Sequence, residues 1–160
     1  MIKNIEAFTS KQKLGRAIDG VLIMPDKIVA TDSFKLIELK GDTGAADSFT
    51  VKLPKGLKTF ERVERVGTGA NIYHKGAKYE VAEVGAADEY PKHEAIWPTG
   101  EPVASVILDA GHLAAICAAF ESASTTGVAH IEIKIYEENK AVEFTSKTGV
   151  LRALLMPVLK

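Results

Sequence analysis

Four cations stand at Lys55, Lys58, Arg62 and Arg65, at steps of three, four and three residues. On a helix that spacing puts all four on one side. There they could neutralise the phosphates of duplex DNA without reading its bases. Glu61 and Glu64 lie among them, so the run also fits an ordinary solvated face. A second place for chemistry is Asp42-Thr43-Gly44-Ala45. A third is Thr31-Asp32-Ser33, whose short polar side chains are the type that hydrogen-bond their own backbone in a turn. Other reactive groups point to less. His74, His93, His112 and His130 are scattered, and Cys117 has no second cysteine, so no metal site and no cofactor is expected. Gly67-Thr68-Gly69 lacks the helix and Lys of a phosphate loop.

The elements that must position these residues read as follows. Residues 2–14 are mixed, with weak helical character, and 15–20 are turn-like. Strands are expected over 21–24 and 28–31, joined by the tight turn Pro25-Asp26-Lys27. A third strand covers 34–39, with Phe34, Leu36 and Glu38 on one face. A loop over 41–48 leads to a half-buried strand at 49–53, where Phe49, Val51 and Leu53 alternate. Residues 54–66 read as a helix: Pro54 suits the first turn, Leu57, Phe60 and Val63 recur at helical spacing, and Gly67 ends it. Short strands are expected at 71–74 and 78–84, then an irregular piece ending in Tyr90-Pro91. A strand at 103–108 precedes Asp109, a good N-cap for a helix over 110–123 that buries Leu113, Ile116, Cys117 and Phe120. Strands at 129–136, 141–145 and 151–158 close the chain, with turns at Asn139 and Thr148-Gly149.

The pattern strand, helix, three strands therefore occurs at 49–90 and again at 103–158. Residues 21–39 look like the strands of a third copy without its helix. The expected divisions are 1–48, 49–98 and 99–160. Antiparallel strands with one helix per unit indicate an α+β layer fold. The bulk numbers agree with a folded chain: 160 residues, 46% hydrophobic and 26% charged, with a net charge of -1. No global basic excess announces nucleic acid. No apolar run approaches the ~18 residues of a membrane span, and the first residues lack a signal peptide's apolar core. A lone cysteine suits a reducing compartment. A cytoplasmic protein is the expectation.

Three segments in order resemble the bacterial DNA polymerase III beta sliding clamps, the processivity factors of replication. They are Gly20-Val21-Leu22-Ile23 leading into Val29-Ala30-Thr31-Asp32-Ser33-Phe34-Lys35-Leu36, then Tyr90-Pro91-Lys92-His93-Glu94-Ala95-Ile96-Trp97-Pro98, then Leu154-Leu155-Met156-Pro157-Val158-Leu159-Lys160. The likeness covers most of residues 14–160. It implies the DNA-clamp fold of repeated β-α-β-β-β units, and a binding protein rather than an enzyme. In the family these segments converge on a hydrophobic pocket for short linear peptides of polymerases and clamp loaders. Carried over, the pocket residues are Thr31, Ser33, Phe34, Lys35, Leu36, Pro91, Ala95, Ile96, Leu154, Met156, Pro157 and Val158. An apolar cleft with an adaptable Met suits peptide side chains. Lys35 stands where Arg is usual, which removes bidentate hydrogen bonding, and Ala95 stands where a long basic side chain is common.

The resemblance also implies helices that face DNA. The helix expected at 54–66 would carry Lys55, Lys58, Arg62 and Arg65, and weak, non-specific DNA binding is the expectation. The helix expected at 110–123 has no Lys or Arg. Bacterial clamps carry three domains per chain and two chains per ring, so this shorter chain would form a homo-oligomeric ring or stand as a reduced relative. A clamp-like decoy that takes the peptides without encircling DNA is an alternative. Asp42-Thr43-Gly44-Ala45 is similar to the motif of retroviral-type aspartic proteases, which implies, as a minor alternative, a dimeric protease in which each chain supplies one Asp to a shared carboxyl pair. The polar loop that carries it and the missing C-terminal Gly-Arg strand depart from that family.

Overall fold

The computed structural model describes residues 5–12, 15–57, 60–126, 128–137 and 140–158. It is α+β with antiparallel sheets. The chain divides between Pro98 and Thr99 into two compact units.

In the first unit, β1 (Val21–Ile23), β2 (Lys27–Thr31), β3 (Leu36–Lys40) and β4 (Phe49–Val51) form one sheet in the order β3-β2-β1-β4. A second sheet, β5 (Arg62–Val66), β6 (Gly69–His74) and β7 (Ala77–Ala82), is a simple meander. The register assigns the faces. Leu22 pairs Val29 and Thr50, while Ile23 pairs Ile28 and Phe49. One face of the first sheet therefore carries Val21, Ile23, Ile28, Ala30, Phe49 and Val51, which share a core with Val63, Ala70 and Ile72 of the second sheet. The opposite face carries Leu22 and Val29, packed with Ala17, Ile18 and Tyr90 from short 3-10 segments and their flanks. A strand buried on both faces reads as a continuous apolar run, as Val21-Leu22-Ile23 does. The hairpin expected at 21–31 is present; the strand expected at 34–39 begins at Leu36, leaving Phe34 in the turn before it, while Leu36 and Glu38 do share a face, opposite Thr31 and Val29. The boundary expected at 48/49 falls inside a sheet, because β4 pairs β1.

Within the described residues, the stretch expected as a helix at 54–66 is a turn at 55–56 and then β5; residues 58 and 59 lie outside them. Gly56 takes φ +81°, a conformation that breaks a helix. Residues Arg62 to Val66 pair Tyr73 to Gly69 one for one. Leu57, Phe60 and Val63 do turn toward the core. Three apolar residues at steps of three fit a helix, but they also fit a turn that delivers one inward residue and a strand that delivers the next. The repeated strand-helix-strands unit is thus absent from the first unit: its described residues contain no α-helix.

The second unit has α1 (Ala110–Ser122) over β8 (Ile131–Lys134), β9 (Val142–Ser146) and β10 (Arg152–Leu155), in the sheet order β10-β9-β8. Asp109 caps α1 by accepting a hydrogen bond from the His112 amide at 2.8 Å. Phe120, Val142, Phe144 and Leu155 are its buried core, with Leu113 and Ile116 packed against them. Cys117, expected inside, is exposed. Three short strands cover only the stripe through Leu113, Ile116 and Phe120, and Cys117 lies past its edge. The segment expected as a strand at 103–108 is not in a ladder; Val106 and Leu108 pack against the core, and the Ile107 carbonyl accepts from the Val158 amide at 2.8 Å.

Gly85 shows how tightly the first unit closes. It has φ +68°, and a Cβ there would sit 2.6 Å from the backbone nitrogen of Ala17. Its carbonyl accepts from the Thr50 hydroxyl at 2.9 Å. Gly76, at φ +76°, has open space around it. Gly85→Ala is therefore expected to destabilise the first unit by more than the ~1–3 kcal/mol of backbone strain alone, and Gly76→Ala by no more than that strain. Thermal denaturation of both variants checks the order; equal losses would show that the Ala17 contact has no weight.

Candidate docking surfaces and their electrostatics

The turn between β2 and β3 is built by its own polar side chains. The Asp32 carboxylate accepts from the amides of Phe34 and Lys35, both at 3.0 Å, and pairs with the Lys35 ammonium. Those bonds, led by the Lys35 side chain, hold the Asp32 carboxyl below its usual range. The Thr31 hydroxyl donates to the Lys35 carbonyl at 2.8 Å and accepts from the Ser33 amide at 3.2 Å. Ser33 adopts φ +76°. The result is a backbone set by several local bonds, with Phe34 at its tip, 98% exposed. Of the residues expected to dock a peptide here, Thr31 is buried, Leu36 is half-buried against the Tyr90 cluster, and Ser33, Phe34 and Lys35 are exposed.

The second expected segment lies on the same unit. Tyr90 is buried and donates its hydroxyl to the Val29 carbonyl at 3.2 Å. Burial pushes that hydroxyl's pKa up to about 12. Pro91 follows half-buried, and a 3-10 turn, His93–Ile96, carries Ala95 exposed and Ile96 64% exposed. The sheet therefore brings the first two segments to one unit: Tyr90 and Leu36 pack in one cluster.

The third segment belongs to the second unit. Leu154 is 68% exposed and Met156 65% exposed. Val158 is exposed and Pro157 half-buried. Leu154 pairs Glu143 across the sheet and lines a shallow cavity of about 410 Å³ with Glu143, Arg152 and Ala153. Glu143 is the feature sequence reasoning missed. It is buried on the sheet face opposite the helix, where it accepts from the Tyr136 hydroxyl at 2.7 Å, the Thr145 hydroxyl at 3.0 Å and the Arg152 guanidinium at 3.0 Å. The alternation Val142-Glu143-Phe144-Thr145 was the available signal, since it puts Glu143 and Thr145 together on the face away from the core.

The three described cations of the four do not share one helical face. Lys55 is exposed in the turn before β5, and Lys58 lies outside the described residues. Arg62 and Arg65 are three apart on a strand, so they point to opposite faces. Arg62 pairs with Glu64 at 2.6 Å and stacks 4.3 Å over the Tyr73 ring. Arg65 forks onto Glu83 at 2.6 and 3.2 Å and reaches Asp47 at 2.6 Å, which raises its already high pKa. A phosphate would have to displace these carboxylates. Asp42 uses its carboxylate locally, accepting from the Gly44 amide at 2.9 Å, while the Thr43 hydroxyl ties the loop to the Met24 carbonyl at 2.7 Å. Among the described residues, no group of three or more His, Cys, Asp or Glu could hold a metal ion, and no helix is long and apolar enough to cross a membrane.

The hydroxyls of Tyr136 and Thr145, with Arg152, hold the Glu143 carboxyl down to about 2. A depressed folded pKa stabilises above the ordinary Glu range and loses that contribution as pH falls through about 2. The second unit is expected to lose stability between about pH 4.5 and 2, and Glu143→Gln to flatten that dependence. Thermal melts across this range read it; an unchanged acid profile in the variant would remove Glu143 as its source.

No family model, curated protein or solved structure matches this chain.

Proposed function

We propose that this chain is a sliding-clamp-like replication protein, working in the cytoplasm, that docks short linear peptides of polymerases or clamp loaders and is not an enzyme. The observation that carries the reading is the Thr31–Leu36 turn. It fixes its backbone by side-chain hydrogen bonds and holds Phe34 fully outward. A large aromatic ring on a rigid, locally bonded turn is pre-organised for a partner, because little freedom is lost on binding. Ile96 on the first unit and Leu154, Met156 and Val158 on the second are likewise exposed apolar side chains at positions the resemblance assigns to peptide contact. A clamp fold and a homo-oligomeric assembly belong to this same reading.

One observation favours a second reading, the clamp-like decoy that takes peptides without encircling DNA. Arg62 and Arg65 already have carboxylate partners, and α1 carries no Lys or Arg. Little cationic surface remains for duplex DNA on these elements. A primer-extension assay separates the two: a clamp raises the length of product per binding event, and a decoy lowers it.

Peptide docking itself is tested by fluorescence polarisation with fluorescein-labelled pentapeptides carrying Leu and Phe. Phe34→Ala should weaken binding by about tenfold, the loss typical of an interface anchor, with no fall in melting temperature, because the ring is exposed. If no such peptide binds saturably to the wild-type protein, the docking reading fails.

A further inference from the structure

A cluster of charged side chains sits on the face of the first sheet that receives Tyr90. Lys27 on β2 is 9% exposed, an unusual position for a lysine. Its ammonium donates to Glu94 at 2.5 Å and lies 3.7 Å from Glu38 on β3. The same Glu38 oxygen is 3.8 Å from Nε2 of His93, and its other oxygen is 3.8 Å from the Lys40 ammonium. His93 is buried, edge-on to the Tyr90 ring, and its Nε2 has no hydrogen-bond partner. Lys27, Glu38 and Lys40 share a face by register, since Lys27 pairs Lys40 and Val29 pairs Glu38.

This cluster reaches the 3-10 turn that follows Tyr90. The backbone hydrogen bonds shown within 91–96 are internal, His93 to Pro91 at 2.6 Å and Ala95 to Lys92 at 3.1 Å. Tyr90 seats the chain just before this turn, and the side chains of His93 and Glu94, meeting Lys27 and Glu38, carry the link on to the turn itself. A methionine would fill the same volume as Lys27 with less desolvation, so the ion pair adds little stability of its own. Its consequence is placement.

We propose that Lys27 is a positioning residue: by bridging Glu38 of the sheet and Glu94 of the turn, it sets where Ala95 and Ile96 stand on the docking surface. The inference rests on the docking reading for the role of Ala95 and Ile96, but the latch itself does not. The Lys27 hydrogen bond holds the Glu94 carboxyl below its usual range, with the charges of Lys27 and His93 adding to it. The groups facing Glu94 are Lys27 and His93, with Glu38 behind them. A carboxyl lowered in the folded state contributes above its ordinary range and loses that contribution as pH falls. The latch therefore opens in acid, at a pH below the ordinary glutamate range.

Trp97, the single tryptophan, directly follows the turn and reports on it. In Lys27→Met the Trp97 emission should shift, its change in acid should disappear, and labelled-pentapeptide binding should weaken about fivefold, the scale of one ordinary hydrogen bond. Lys27→Arg should restore all three. Glu94→Gln, at an exposed site, tests the same link if Lys27→Met does not fold. A folded Lys27→Met or Glu94→Gln with unaltered Trp97 emission would overturn the latch. Shifted emission with unchanged peptide binding would overturn the positioning role. If the wild-type protein binds no pentapeptide, the docking reading falls, and the Trp97 comparison alone upholds or overturns the latch.

Discussion

The first unit depends on β1, three residues buried on both faces and paired on both edges. A strand in that position has no water for its amides and carbonyls, so each must find a neighbouring strand. β2 and β4 supply those partners. The requirement extends further, because both faces must also be covered. The second sheet covers one through Val63, Ala70 and Ile72, and Ala17, Ile18 and Tyr90 cover the other. Thr50 completes the enclosure: fully buried beside Leu22, it donates to the carbonyls of Val84 and Gly85 and so ties the chain after β7 to the first sheet.

This enclosure decides where function can sit. With Tyr90 seated against Val29 and Leu36, the chain that follows it is delivered to the sheet face that holds Lys27 and Glu38. The β2–β3 turn extends beyond the same sheet, and its own side chains satisfy its backbone. Exposed Phe34 and Ile96 thus stand on supports of different kinds, a turn bonded within itself and a turn held by ion pairs. The second unit solves a smaller problem. One capped helix covers one sheet face, and the other face carries Glu143, kept charged by two hydroxyls and a guanidinium. A buried carboxylate without those donors would be costly.

The sequence was most legible where composition and chemistry agreed. Val21-Leu22-Ile23, Pro25-Asp26 and Val29-Ala30-Thr31 could be little else than a hairpin. Asp109 before an Ala-rich run announced a capped helix. It was least legible at 54–66, where the same apolar spacing fits two backbones. Gly56 and the alternation Arg62-Val63-Glu64 were the signals for a turn and a strand, and the regular spacing of four cations obscured them. On a helix they would have shared a face; on a strand Arg62 and Arg65 part, and each meets a carboxylate brought by another strand or loop.

By itself, the chain's order of residues determined the β1–β2 hairpin, the capped helix, and the turn-forming role of Thr31-Asp32-Ser33, because each follows from contacts between residues a few positions apart. Only the tertiary structure decided the rest. Lys27 meets Glu94 across 67 residues, and Arg65 meets Asp47 and Glu83 across 18 on either side. Charges that look free in a linear sequence become paired when a sheet's register places them together. That pairing is long-range and depends on register, which is why the partners of Arg65, and the charged latch behind His93, could not be read from the residues around them.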